Sequence, residues 1–184
     1  LRTAIRQSVL WRRILPSFHI SVNISYVQLR QKEIEEEVLG ILREEGLPGD
    51  ALTLEVTESM QLQDYTYYNK IFYDWKRKGI QIAIDDFGSG YSSLGQLQRL
   101  RADVLKLDRS FVCAGLQGTR ERIVIENLVN MAFELGMEVV CEGVETQAQV
   151  NVLQDIGCHI AQGYYYYRPM QAEAFEQLLG PQQQ

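Results

Sequence analysis

Residues 80–90 read IQIAIDDFGSG. Ile80, Ile82 and Ile84 alternate with Gln81, Ala83 and Asp85, the two-residue period of a β-strand, so one face is apolar and the other ends in an acid. The strand runs straight into a second acid, Asp86, and then into a loop of Phe87, Gly88, Ser89 and Gly90. Adjacent carboxylates repel each other and are costly beside an apolar wall, so this pair calls for a partner.

The pattern recurs along the chain. Five further β-like runs stand at 19–25 (HISVNIS), 52–58 (LTLEVTE), 104–108 (VLKLD), 138–144 (EVVCEGV) and 159–165 (HIAQGYY). Helical spacing falls between them: Val124, Leu128, Met131, Ala132 and Leu135 before Gly136, and Tyr68, Phe72 and Trp75 before Gly79. Leu39 and Leu42 repeat the pattern before Gly46. Strand alternating with helix predicts parallel strands joined by right-handed crossovers. An open doubly wound sheet or a (β/α) barrel would satisfy that order. A polar residue stands near the C-terminal end of each strand: Asn23, Glu55, Asp85, Lys106, Glu142 and Gln162. A barrel gathers such ends into one ring at its top face, whereas an open sheet spreads them along a line, so the barrel is favoured.

A complete eight-stranded barrel takes about 250 residues. This chain has 184 residues, six strand-like runs, and an opening helical segment (LRTAIRQSVLWRRIL) with no strand before it. The expected fold is therefore an α/β, TIM-like (β/α)8 barrel whose first strands are absent. Residues 1–180 read as a single domain and 181–184 as a disordered tail.

Composition sets outer bounds. With 46% hydrophobic and 23% charged residues, the chain can build a core. No run approaches the roughly 18 apolar residues of a membrane span, and Arg2, Arg6, Arg12 and Arg13 interrupt the start where a signal peptide would lie. Membrane contact by this segment is not expected. A net charge of −6 argues against a footprint on duplex DNA or RNA. Cys113, Cys141 and Cys158 lack CxxC spacing and read as reduced, space-filling thiols of a cytoplasmic protein. His19 and His159 read as structural.

Asn23, Glu55, Asp85, Asp86 and Glu142 supply hard oxygen donors, which suit Mg²⁺ or Mn²⁺ better than zinc. One of two adjacent aspartates can bridge two cations while its neighbour serves the second. Two ions about 4 Å apart activate a water and stabilise the leaving oxygen of a phosphodiester. Lys106 offers a point charge to a phosphate oxygen or to that water, and Gln162 a hydrogen bond to orient it. Plainer roles compete. Asp85 and Asp86 could open a turn before Gly88, Lys106 could pair with Asp108, Asn23 and Ser25 could cap the following helix, and Glu145 with Thr146 could start another. A carboxylate-ringed barrel with a lysine also fits enolisation on one Mg²⁺, but the adjacent aspartates fit two-ion phosphodiester chemistry better.

The stretches SVNISYVQL (21–29), LTLEVTES (52–59), IAIDDFGSGYSSL (82–94), LKLDRSFV (105–112), VVCEGVET (139–146) and QGYYYYRP (162–169) together resemble the EAL-type phosphodiesterases. These bacterial signalling enzymes open cyclic di-GMP to linear pGpG. The resemblance covers essentially the whole chain, in family order. It implies that Asn23, Glu55 and Asp85 bind a first Mg²⁺ or Mn²⁺, that Asp85, Asp86 and Glu142 serve a second, and that Lys106 and Gln162 position the hydrolytic water. It implies that Glu58 anchors the loop Phe87–Ser93, and that Asp108 and Glu145 support the pocket. It extends to this chain the family's common homodimer, linked to the metal site through that loop, and regulatory domains on the parent polypeptide. There are departures. The signature Glu-Ala-Leu, whose glutamate is a further ligand of the first metal, does not occur and is expected on a strand before Leu1, so this chain alone is expected to be inactive or poorly active. Ser89, Cys141 and Tyr167 replace the family's common threonine, alanine and serine, and none of these removes a ligand. The alternative is a non-catalytic relative acting as a cyclic di-GMP receptor or protein-interaction module. Such proteins usually have eroded ligands, whereas those readable here are intact.

Overall fold

The computed structural model describes residues 1–57, 65–89, 94–116 and 118–179. Glu58, Gly90 and the 181–184 tail, each singled out above, lie outside the described residues. The strands follow one another in chain order, β1 to β6, and the recorded pairings are all parallel. Helices intervene between strands throughout, as the sequence pattern predicts. The described residues fall into two compact units.

The first unit comprises residues 1–55, 66–81 and the chain beyond Pro169. It holds α1 (Arg2–Trp11), β1 (Ile20–Asn23), α2 (Tyr26–Leu29), α3 (Ile34–Glu45), the start of β2 (Leu52–Thr57), nearly all of α4 (Tyr65–Lys76) and, near its end, α9 (Ala172–Leu179). In α3, Ile34, Val38, Ile41 and Leu42 form one buried stripe, the 3.6-residue period that packs a helix on a core. The helix stops at Gly46, whose φ of +77° is left-handed backbone that glycine adopts without a Cβ penalty. Trp11, Phe18 and Phe175 meet ring to ring, and Glu176 accepts hydrogen bonds from Trp11 Nε1 and Gln7 Nε2. His19 is structural, as expected: its ring nitrogens meet the Asp50 carbonyl at 2.9 Å and Thr53 Oγ1 at 2.6 Å.

The second unit comprises residues 56–65 and 82–168. It contains nearly all of β3 (Gln81–Phe87), then α5 (Leu94–Arg99), β4 (Val104–Leu107), α6 (Arg109–Ala114), α7 (Thr119–Glu134), β5 (Glu138–Cys141), α8 (Gln147–Asp155) and β6 (Ile160–Ala161). Ile82 and Ile84 of the predicted apolar face are buried, as are Leu105, Leu107, Val139 and Cys141 on the following strands. Cys141 and Cys158 fill space as expected, with their sulfurs 3.3 Å apart. One pattern needs correction. Helix α7 buries Ile125, Leu128, Val129 and Ala132, while Val124 and Leu135 from the expected stripe are exposed. The helix carries apolar residues on more than one face, Ile123 and Phe133 being exposed too. Periodicity therefore missed the packed face by less than one residue's rotation. The run at 159–165 yields only a two-residue strand, and at Gly163 the backbone comes so close to Val144 that a Cβ would collide with it. The chain has left the ladder there.

Candidate active site

The end of β3 answers how two neighbouring aspartates can serve one place. Ile84 pairs with Leu105 and Phe87 with Leu107, so three steps on β3 match two on β4. This is a bulge, which inserts a residue and re-aims the side chains around it. Asp86 sits at its centre with a φ of +55°, a left-handed backbone that aspartate tolerates better than most residues but still at a cost. Strict alternation would turn Asp86 away from the face of Asp85. In the bulged strand, carboxylate oxygens of Asp85, Asp86 and Glu142 lie within 4.8 Å of one another. Asp85 is buried, Glu142 half-buried and Asp86 exposed.

Lys106 is set among them from the third position of β4. Its side chain is only 8% exposed, and Nζ lies 2.7 Å from Asp85 Oδ1 and 2.8 Å from Glu142 Oε1. The hard oxygen donors gathered here suit a divalent cation. The suggested pairing of Lys106 with Asp108 gives way to these contacts. Asp108 instead caps α6, accepting a hydrogen bond from the Ser110 amide at 2.9 Å. Burial pushes its carboxyl pKa up, but hydrogen bonds from the Ser110 side chain and amide outweigh this and leave it below the usual carboxylate value.

Gln162 leaves β6 with its amide donating to the Cys141 carbonyl at 2.9 Å and its carbonyl accepting from Val144 at 3.1 Å. It lines a cavity of about 310 Å³ together with Asp108, Arg109, Glu142, Glu145 and Tyr164. The helix-start reading of Glu145 and Thr146 also holds. Thr146 caps α8 in a reciprocal arrangement with Gln149, while the Glu145 carboxylate meets Arg109 at 2.9 Å. Arg109 and Tyr164 were not singled out from the sequence. Their signal was their place, Arg109 directly after Asp108 and Tyr164 two residues after Gln162. The Tyr164 ring carries the Arg168 guanidinium 4.6 Å from its centre.

In the first unit, Asn23 is the register partner of Glu55, so the two polar ends of β1 and β2 stand side by side. Glu55 is buried and Asn23 exposed. The helix-capping role suggested for this segment falls to Ser25, whose hydroxyl accepts from the Gln28 amide at 3.3 Å. Among the described residues no helix is long and apolar enough to cross a membrane.

Known proteins share this architecture. The EAL domain of Mycobacterium smegmatis DcpA superposes with a TM-score of 0.90 at 36% identity, over 97% of this chain and 81% of that one. BlrP1 of Klebsiella pneumoniae, solved with manganese and cyclic di-GMP, gives a TM-score of 0.83 at 27% identity, over 91% of this chain and 43% of that one. In sequence, the cyclic di-GMP phosphodiesterase NbdA of Pseudomonas aeruginosa is 36% identical over 160 residues, 87% of this chain and 20% of NbdA. The chain spans about a fifth of the length of the curated relatives it matches. The fold is thus the TIM-like one of these domains, with six of its strands present. Residues 1–169 match the EAL domain, and the chain belongs to that family.

Proposed function

We propose that this domain hydrolyses a phosphodiester bond of cyclic di-GMP to give linear pGpG, using Mg²⁺ or Mn²⁺. The observation that carries the reading is the cluster of Asp85, Asp86 and Glu142 around buried Lys106. A relative at 36% identity bears the name cyclic di-GMP phosphodiesterase, and one neighbour was solved with manganese and the dinucleotide together. Asp85, Asp86 and Glu142 would hold an ion, and Asn23 and Glu55 are the further oxygen donors that the family resemblance assigns to metal. Such ions, when bound, lower the pKa of a water and stabilise charge on the leaving oxygen.

The chain's own groups supply the rest. Lys106 holds Asp85 and Glu142 in place, because its ammonium offsets the cost of burying them. The same charge faces phosphate oxygens as they approach. Gln162 orients the attacking water by hydrogen bonding. Asp108 and Glu145 shape the wall of the cavity. Water adds to phosphorus, the ester bond to the 3′ oxygen breaks, and that oxygen leaves as a hydroxyl.

The test is incubation of the parent polypeptide with cyclic di-GMP and Mg²⁺ or Mn²⁺, beside this chain alone, which should turn over poorly, followed by chromatography of the nucleotides. Metal-dependent pGpG is the expected product, and Asp85→Asn should lower its rate at least a hundredfold, since each tenfold corresponds to about 1.4 kcal/mol of lost transition-state stabilisation. Binding of the dinucleotide without cleavage at saturating metal would overturn the enzyme reading in favour of a receptor.

A further inference from the structure

The turn from Glu142 to Glu145 carries a carboxylate of the proposed metal centre, and both of its sides are closely packed. Gly143 has a φ of +66°, and a Cβ there would meet Arg109 Cβ and Cγ at 2.5 and 2.6 Å. The stem of Arg109 thus lies flat on the residue next to Glu142. Beyond that contact its guanidinium forks onto Glu145, with Nη1–Oε1 at 2.9 Å and Nη2–Oε2 at 3.1 Å. Arg109 therefore crosses the turn from its second residue to its fourth. On the opposite side, the Val144 amide donates to the Gln162 carbonyl and the Val144 carbonyl accepts from the Tyr165 amide. Gly163 leaves room for that approach, and Val144 is fully buried.

We propose that Arg109 is a positioning residue: by clamping Gly143 and Glu145 from α6 it holds the Glu142 carboxylate at Lys106 and within reach of Asp85 and Asp86. This role rests on the metal-binding reading above. Arg109 does not itself supply a donor to the cluster. Its ion pair is half exposed, with side chains 56% and 36% accessible, so its loss should cost little global stability. What it should cost is the precision of one ligand, and a ligand whose support is removed binds metal about tenfold more weakly.

The experiment is Mn²⁺ titration of the protein by electron paramagnetic resonance, alongside hydrogen exchange of the Val144 amide in metal-free buffer. Arg109→Ala should weaken Mn²⁺ about tenfold and speed Val144 exchange, with the thermal midpoint nearly unchanged. Arg109→Lys, which keeps stem and charge, should restore most of both. Arg109→Met keeps the stem alone, and an intermediate Mn²⁺ affinity would assign the remainder to the grip on Glu145. Unchanged affinity and exchange in Arg109→Ala would overturn the clamp, as would a uniform rise in exchange across the unit. Absence of Mn²⁺ binding by the unaltered protein would overturn the metal reading and the positioning role with it, even if Val144 exchange still responded.

Discussion

Two cation–carboxylate contacts lie within a few residues of each other in the chain, and they differ in nearly everything that matters. Lys106 meets Asp85 and Glu142 with all three side chains under 20% exposed. Arg109 meets Glu145 with both side chains partly open to solvent. The distances are alike, between 2.7 and 3.1 Å. Geometry alone would rank them as equals. Solvent separates them, because a charge shielded by water loses little when its partner goes, whereas a buried one is left with its full desolvation cost. On the proposals made above, the buried set would receive a cation and the exposed pair would act as a brace.

The strongest way to break this contrast is to remove the buried cation. Lys106→Ala leaves Asp85 and Glu142 facing each other without it, and should destabilise the domain by about 3–5 kcal/mol in metal-free urea unfolding. A loss below about 1 kcal/mol would show that the cluster is better hydrated than its burial indicates.

Asp108 gives an intermediate case, since it is half-buried and bonded to the end of a helix instead of to a cation. Asp108→Ala should cost about 1 kcal/mol, the usual value of a helix N-cap. The sign of its pH dependence follows from its lowered pKa. The contribution is complete above the unfolded carboxylate value and disappears as pH falls through the folded one. The gap between wild type and variant should therefore be constant above about pH 5 and close in stronger acid. A gap that widened in acid would reverse the assignment.

The smallest effect belongs to the exposed pair. Glu145→Gln should cost about 0.2–1 kcal/mol at low salt. In about 1 M salt, where the screening length is near 3 Å, the difference should vanish. A salt-resistant loss would mean that the brace works by packing.

The sequence made some of this legible and not the rest, for physical reasons. Alternation along 80–86 and the polar strand ends were readable because a regular ladder has a fixed period of two. Asn23 opposite Glu55 needed only that period and a parallel register. The convergence of Asp86 with Asp85 was not readable from the same rule, since a bulge depends on the partner strand's register, and β4 carries no mark of it in its own residues. The adjacency of the two acids, and then the resemblance, suggested that role where alternation pointed the other way. Helix α7 was misread because its apolar residues surround it more widely than one stripe. Arg109 escaped notice because its work is done by a stem lying on a glycine thirty-four positions later (143 − 109).

The left-handed backbone at Asp86 has a consequence for anyone who sets out to toughen this domain. Position 86 is where a selection for heat resistance would gladly install glycine, since that residue is at ease in the conformation and aspartate is not. Robustness would rise as the site lost its second acid. Directed evolution that screens for survival alone should thus drift toward sturdy, silent variants, with the first sign of that drift at one codon.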